Sequence, residues 1–428
     1  MNILVVGGGG REHALVMKIH ESKKADKIYC VPGNGGISRY AECISDVKAT
    51  DIDGVLAVAK KVSADLVVVA PDDPLVLGMV DVLNKEGFAT FGPNKAAAII
   101  EGSKVFSKDL MKKYNIPTAA YEVFTNAEDA IKYLKERNQY PAVVKADGLA
   151  LGKGVIIAQN FEEAEDAVKS IMEDKIFGAS GSQIVVEEFL TGFEVSVLCF
   201  TDGKTIRPMV SSMDHKRALD NDEGLNTGGM GTIAPNPYYT EEIAKECMEK
   251  IFIPTVEAMN KENRTFKGCL YFGLMLTPNG AKVIEYNCRF GDPETQVVLP
   301  LLDTDIVDIM LAIYNDKLDE VEMKWKNQSA ACVVMASGGY PKQYETGLEI
   351  DGLDDKGQVE GAFVYHAGTK YENEKFLTAG GRVLNVTATG NTLKEALDQS
   401  YSCVKKINFK NHHYRNDIGA KALMASDK

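Results

Sequence analysis

The apolar positions of this chain fall into short continuous runs of strand length, separated by segments whose apolar residues recur at helical spacing. Ile3-Leu4-Val5-Val6 leads into Gly7-Gly8-Gly9-Gly10-Arg11-Glu12-His13-Ala14, which reads as a buried strand, a glycine turn and a helix start. Lys27-Ile28-Tyr29-Cys30-Val31 and Leu66-Val67-Val68-Val69-Ala70 repeat the pattern, each followed by a loop rich in Pro, Gly, Asn or Asp. Ligands gather at the carboxyl ends of such strands in open parallel sheets, and the first hundred or so residues read as one small doubly wound domain. A backbone anion site at the helix start, with Arg11 adding a full charge, is one reading of the glycines; tight strand–helix packing is another. A dinucleotide-binding turn fails in detail. Glu12 or His13 stands where the third small residue belongs, and the second strand runs into Pro32-Gly33-Asn34 with no acidic residue at its end.

Farther along, the pattern predicts a helix from about Lys95 to Tyr114 carrying Lys104. Two more helices open with capping boxes, at Thr125-Asn126-Ala127-Glu128 and Asn160-Phe161-Glu162-Glu163. Between them lie two strands joined by a glycine-rich loop, with Lys145 before the loop and Gly152-Lys153-Gly154 on it. That is the form of a flap over phosphates and equally of a plain hairpin with solvated lysines; a P-loop signature is absent. Gln183 to Leu190 is a strand running into a hinge, and a new strand starts near Phe193. Such a hinge offers unpaired backbone groups to a purine edge, and Glu194 can accept two ribose hydroxyls. Thr240 to Asn260 reads as a long amphipathic helix, Gly268 to Leu276 as a strand, and Asp305 to Asn315 as a helix. A strand-rich last section opens at Ala330 and closes with a helix capped by Thr392; its turns at Ser337-Gly338-Gly339-Tyr340-Pro341 and Gly380-Gly381-Arg382 read as structural.

Length and charge narrow the class. The 428 residues suit about three domains, and 45% hydrophobic with 25% charged residues is the balance of a soluble globular protein. A net charge of −13 argues against a general nucleic-acid surface while allowing a local basic pocket. The longest apolar runs are too short to span a membrane, and Met1-Asn2-Ile3 begins a strand without the basic leader of a signal peptide, so the cytoplasm is the expected compartment. Eight scattered cysteines, with no Cys-x-x-Cys pair, suit reduced buried thiols.

The densest chemistry lies in Val283-Ile284-Glu285-Tyr286-Asn287-Cys288-Arg289-Phe290-Gly291-Asp292-Pro293-Glu294. Glu285, Asn287 and Arg289 are two apart and share one face of a strand. A carboxylate and an amide oxygen suit a hard cation such as Mg²⁺ with nucleotide phosphates, and the arginine suits an anion. The polar face of an antiparallel sheet looks similar.

Three features, taken with this strand, resemble the ATP-grasp fold: a lysine on a helix, a lysine before a glycine-rich flap, and the Glu187-Glu188-Phe189-Leu190 hinge with Glu194 after it. Ser211 to Arg217, the loop Leu225-Asn226-Thr227-Gly228-Gly229-Met230-Gly231, and Gly9 to Ala14 are similar to the phosphoribosylamine–glycine ligase family. The resemblance implies an α/β chain, mixed α+β in its ATP-binding part. An N-terminal Rossmann-like domain would occupy 1–103, an ATP-grasp domain 104–327 with a mobile lid at about 122–192, and a small β-rich domain 328–428. It further implies ligation of glycine to 5-phosphoribosylamine through glycyl phosphate, with ATP and Mg²⁺ or Mn²⁺, by a monomer without nucleic-acid or membrane partners. Lys104, Lys145, Gly152, Lys153 and Gly154 would hold the phosphates. Glu187, Glu188, Phe189, Leu190 and Glu194 would hold the nucleoside, and Glu285 and Asn287 the metal. Arg289, Asp214, Lys216 and Glu294 would serve the reacting groups. The acid and sugar would meet Asn226, Thr227, Gly228, Gly229, Asp292, Pro293, Gly9, Gly10 and Arg11. Many ATP-grasp enzymes carry a second acidic metal ligand on the preceding strand, and Gly268 to Leu276 has none. The rivals are a different ATP-grasp carboxylate–amine ligase, a nicotinamide-dependent oxidoreductase resting on the first glycine turn, and a non-catalytic nucleotide-binding module.

Overall fold

The structure, a computed structural model, describes residues 1–149 and 154–426. Strands β1 (Asn2–Gly7), β2 (Lys27–Pro32), β3 (Glu42–Cys43), β4 (Leu66–Val69) and β5 (Ala89–Phe91) form a parallel sheet in the order β3-β2-β1-β4-β5. Ile3 to Val6 are wholly buried, as their unbroken apolar run requires. The strand order reverses between β1 and β4, so Gly7 and Val69 flank the crevice where open α/β sheets bind ligands.

The segment expected to form a lid is a second sheet with its own core. β6 (Tyr121–Phe124), β7 (Ala142–Ala146), β8 (Val155–Ala158) and β9 (Ile184–Glu188) pair antiparallel in the order β6-β9-β7-β8. Helices Ala127–Arg137 and Phe161–Met172 bury Ala130, Leu134, Val168 and Ile171 against Val144 and Val186. Asn160 caps its helix as expected, accepting the Glu163 N–H, whereas the first cap is Asn126 and not Thr125, accepting from Glu128 and Asp129.

β10 (Phe193–Thr201), β11 (Ile206–Pro208), β12 (Met213–Asp214), β13 (Arg217–Leu219), β14 (Glu223–Asn226), β15 (Gly231–Ala234), β16 (Gly268–Thr277) and β17 (Gly280–Asn287) follow. β18 (Ser329–Ala336), β19 (Phe363–His366), β20 (Thr369–Glu372), β21 (Lys375–Thr378) and β22 (Arg382–Gly390) complete the strands. The central sheet runs β11-β10-β16-β17, and a third large sheet runs β12-β15-β18-β22-β19, drawing strands from both sides of residue 328. Two cores cross these seams. One packs Val67 and Val69 with Phe272 and Val283; the other packs Ile3 and Val5 with Leu198 and Cys332.

Two helices depart from the sequence reading. The one expected over Lys95 to Tyr114 is Lys95–Gly102 and Lys104–Lys113, broken at Ser103, whose backbone is extended and whose hydroxyl accepts the Phe106 N–H to start the second helix. The one expected over Thr240 to Asn260 contains a π turn at Met248–Phe252, beside Pro254, which has no N–H to donate to the preceding turn.

Candidate active site

A cleft of about 820 Å³ runs between the lid sheet and the central sheet and continues to the turn that follows β17. Its lid side is organised by lysines. Lys104 opens the helix Lys104–Lys113 and donates from Nζ to the Gly148 carbonyl at 2.9 Å. Burial, only partly offset by Glu285, lowers its pKa. Lys145, at the end of β7, places Nζ 3.0 Å from Glu187 Oε1 and donates to the Ile284 carbonyl at 3.2 Å. Glu188 accepts the Ala120 N–H and pairs with Lys282, both at 3.0 Å. Phe189 and Leu190 line the cleft at the hinge, Gly154 lines it from the flap, and Gly152 and Lys153 lie outside the described residues. Glu194 pairs with Lys216 at 3.0 Å, which brings a predicted nucleoside contact against a predicted catalytic one.

On the opposite wall, β17 sets Glu285 across from Gly273 and Asn287 across from Tyr271. Gly273 is the close approach that makes room, since a Cβ there would lie 3.0 Å from Glu285 Cγ. Burial disfavours the Glu285 carboxylate, but Lys216, Lys145, Lys104 and Arg289 outweigh it and hold its pKa below the usual range. No described residue hydrogen-bonds or ion-pairs directly with it. An ionised carboxylate without a direct partner, two residues from an amide oxygen, is a donor set suited to a hard cation. Among the described residues no group of three or more His, Cys, Asp or Glu forms a self-sufficient metal site, so phosphate and water oxygens would have to complete the shell.

The far end of the cleft is a turn braced from three directions. Asp292 accepts the Arg11 backbone N–H at 3.1 Å on one oxygen and Gln296 Nε2 at 2.8 Å on the other, so its carboxylate ties the first helix to this turn. Arg11 Nη1 donates to the Ala70 carbonyl at 3.0 Å. The Gly9 N–H donates to Glu12 Oε2 at 2.6 Å, and Gly10 packs where a Cβ would strike Asn385 and Gln296. Arg289 pairs with Glu101 at 2.8 Å. Asp214 ends β12, and burial, then the nearby Glu294 carboxylate, push its pKa well above the usual range. Glu194 is the main influence raising that of Lys216. Glu294 Oε1 accepts from Ser196 Oγ at 3.2 Å. Asn226 closes β14, and the Thr227 hydroxyl donates to the Lys216 carbonyl while accepting the Gly229 N–H. Gly229 has φ +117°, and a Cβ there would lie 2.5 Å from Pro293 Cδ and 2.6 Å from Asp214 Oδ1.

Models of the phosphoribosylglycinamide synthetase N domain, ATP-grasp (A) domain and C domain match residues 1–101, 102–295 and 330–421. The chain belongs to the phosphoribosylamine–glycine ligase family. It is 47% identical to the phosphoribosylamine–glycine ligase of Caldanaerobacter subterraneus over 98% of this chain and 100% of that one. The Clostridium acetobutylicum ligase is 48% identical over 98% and 99%. The crystal structure of the Thermotoga maritima ligase superposes with a TM-score of 0.85 at 33% identity, covering 98% of this chain and 100% of that one. The biotin carboxylase domain of Hydrogenobacter thermophilus 2-oxoglutarate carboxylase, solved with MgADP, shares the fold at TM-score 0.73 and 16% identity, covering 96% and 91%.

Against this ligase fold, the sequence reading missed four residues that shape the cleft. Lys108 reaches Glu187 Oε2 at 3.1 Å and donates to the Thr118 hydroxyl at 2.8 Å, and burial lowers its pKa to about 8. Its position four residues after Lys104, on the same helix face, was the available signal. The two turns read as structural place side chains on the cleft wall. Arg382 donates to the Gly228 and Asp292 carbonyls at 2.7 and 2.8 Å, and Tyr340 Oη accepts the Gly228 N–H at 3.2 Å. Neither had a sequence signal, because each acts across 90 residues of chain or more. Glu101 is the fourth. The dinucleotide alternative fails here too: Glu12 folds over Gly7 and takes the Gly9 N–H that a pyrophosphate would need.

Proposed function

We propose that this cleft performs the family's ATP-dependent ligation of glycine to 5-phosphoribosylamine, a step of purine biosynthesis, by positioning and charge neutralisation without a nucleophilic side chain. What carries the reading is the Glu285 carboxylate, without a direct partner among the described residues, inside a ring of Lys104, Lys145, Lys216 and Arg289. ATP enters with its base at the Glu187 carbonyl and Leu190 amide beside Glu188 and Phe189, and its ribose at Glu194. Its phosphates would meet Lys104, Lys145 and Gly154, with Gly152 and Lys153, which lie outside the described residues, assigned to them from the sequence alone. Glu285 and Asn287 would hold Mg²⁺, with Mn²⁺ as the alternative oxygen-seeking metal, and the ion would supply Lewis-acid stabilisation of the charge on the transferring phosphoryl group. Arg289 and the Asn226–Gly229 loop hold glycine so that a carboxylate oxygen attacks the γ-phosphorus. The bond to the β–γ bridging oxygen breaks, giving ADP and glycyl phosphate.

The amine of phosphoribosylamine then attacks the acyl carbon, and the carbon–oxygen bond to phosphate breaks. Asp214, whose burial raises its proton affinity, takes the proton shed by nitrogen, with Lys216 and Glu294 beside it. The sugar phosphate lies toward Arg11, Gly9 and Gly10, on the side of the turn that carries Asp292 and Pro293. The separate core of the lid supports its closing over the nucleotide as a unit at about 122–192. The reading takes the enzyme as a cytoplasmic monomer without nucleic-acid or membrane partners; a net charge of −13 suits the lack of a general nucleic-acid surface, and no helix among the described residues is long and apolar enough to cross a membrane.

ADP release tests the reading. It is expected to require both glycine and 5-phosphoribosylamine, the latter formed in the assay from ribose 5-phosphate and ammonia. Release of equal rate with another acid or amine would replace the substrate assignment, and nucleotide binding without turnover on any pair would replace the enzyme.

A further inference from the structure

Glu101 sits in the last turn of the helix Lys95–Gly102, buried, at the end where the helix dipole disfavours a carboxylate. Three donors from three consecutive residues hold it there. Its Oε2 accepts the Cys288 N–H at 2.7 Å, and its Oε1 accepts Arg289 Nη2 at 2.8 Å and Asn287 Nδ2 at 3.1 Å. The Asn287 amide is assigned in this orientation because the reverse would aim its oxygen at two acceptors, Glu101 and the Tyr286 carbonyl; as assigned, the nitrogen also donates to Tyr286 at 3.0 Å. Both N–H groups of Asn287 are thereby engaged. Its oxygen is left as the group turned away from Glu101, on the strand face shared with Glu285.

We propose that Glu101 is a positioning residue for the metal: its acceptor-only carboxylate fixes the Asn287 amide oxygen-outward, toward the cation seat beside Glu285. The inference rests on the metal reading given above. An asparagine alone presents oxygen or nitrogen with little preference, and only oxygen ligates Mg²⁺. Glu101 comes from the element that precedes the lid, so the first domain fixes the chemistry of a strand nearly two hundred residues away.

Calorimetry on the purified full chain separates the two ideas. The quantity read is the ratio of the dissociation constant of ADP in EDTA to that in excess Mg²⁺, which is the metal's contribution. Glu285→Gln is expected to abolish most of it. An unchanged ratio in that variant overturns the metal reading itself. Glu101→Gln turns an N–H toward Asn287 and inverts its amide, and is expected to lower the ratio about 10-fold or more, the usual effect of losing a ligand's orienting partner. Asn287→Asp alone brings a stronger ligand but sets it against Glu101, and is also expected to lose metal contribution. In the double variant Glu101→Gln with Asn287→Asp, the new amide donates to the new carboxylate, whose second oxygen faces the metal. The ratio is expected to return to within about 3-fold of wild type. A loss of Arg289 support or general damage to the helix would not be repaired at position 287. With Glu285→Gln behaving as stated, an unaffected Glu101→Gln ratio or no recovery in the double variant overturns the positioning role. Asn287→Asp leaves every other contact of Glu101 in place, so it remains informative if Glu101→Gln folds poorly; tighter metal binding in that single variant also overturns the inference.

Discussion

Lys108 and Lys145 approach the two oxygens of one buried carboxylate, Glu187, at 3.1 and 3.0 Å from different elements. Two cations against one anion leave a surplus positive charge in a place water scarcely reaches, at the floor of the cleft. Burial alone disfavours that arrangement, and it lowers the Lys108 pKa to about 8. On the proposed placement of ATP a triphosphate would supply the missing negative charge, so the ion group would be better matched with nucleotide bound than without. Lys108 in this account neutralises Glu187 and frees Lys145 for phosphate.

Replacing Lys108 by Met closes Glu187 and Lys145 into a neutral pair. The KM for ATP is expected to rise about 10-fold, a loss of roughly 1.4 kcal/mol, with a smaller change in the KM for glycine. Glu187→Gln does the reverse and leaves two buried lysines without a counter-charge. It is expected to cost about 3–5 kcal/mol of folding stability in urea titrations. Equal ATP KM values for wild type and Lys108→Met would remove Lys108 from the nucleotide site.

Glu285→Gln removes the carboxylate that has no direct partner among the described residues. Folding is expected to change by less than about 1 kcal/mol. Its kcat/KM for MgATP is expected to fall on the order of 100-fold or more, because a charged ligand to the metal is lost where charge develops in phosphoryl transfer. Steady-state kinetics across a Mg²⁺ series checks this. Wild-type turnover at every Mg²⁺ concentration would refute the assignment of Glu285.

How much of this was legible in the sequence follows the range of each interaction. The apolar runs Ile3 to Val6 and Leu66 to Ala70 announced the first sheet because burial on both faces leaves no polar alternation, and Glu285, Asn287 and Arg289 announced their shared face because a strand repeats every two residues. The break at Ser103 did not announce itself: apolar spacing persists through it, and beside the local Ser103 cap a tertiary contact, Asp147 Oδ1 accepting the Ser103 hydroxyl and the Val105 N–H, fixes the corner. Arg382 was illegible for the same reason. Its partners Gly228 and Asp292 lie in other parts of the chain, and glycines beside it read as a turn. Glu101 was hidden inside an ordinary helical pattern, recognisable only once Cys288 and Arg289 were seen to converge on it.

Gly229→Ala tests the substrate end of the cleft. At φ +117° an alanine is strained, and its methyl group would overlap Pro293 Cδ and Asp214 Oδ1 at 2.5 and 2.6 Å. The loop must move away from Asp214, and a displacement of even 1 Å from productive geometry costs about 100-fold. The kcat/KM for glycine is expected to fall by about that factor while the Kd for ADP stays within about 2-fold. A parallel loss of nucleotide affinity would place the loop at the nucleotide and not at the acceptor acid.

Acid stability is set in part by histidines buried in their neutral form. His215 Nε2 accepts the Gly419 N–H at 3.1 Å and Nδ1 faces the Gly231 carbonyl at 3.1 Å; His366 Nε2 faces the Gly357 carbonyl at 2.8 Å and Nδ1 the Thr369 hydroxyl at 3.0 Å. Burial is the main cause that lowers each to about 4, from 6.5. Between those values the unfolded chain binds the proton and the folded chain does not, so stability is complete above about pH 6.5 and is lost as pH falls toward 4. Going from pH 7 to pH 5 is expected to remove on the order of 2 kcal/mol for each of the two rings. Asp214, raised by burial, works in the opposite sense, so the measurement is the difference between proteins. His366→Gln keeps a donor for the Gly357 carbonyl and cannot titrate. Its urea-unfolding stability is expected to fall less than that of wild type over the same interval, by about 2 kcal/mol. An equal fall in both would mean that His366 is already protonated in the folded enzyme.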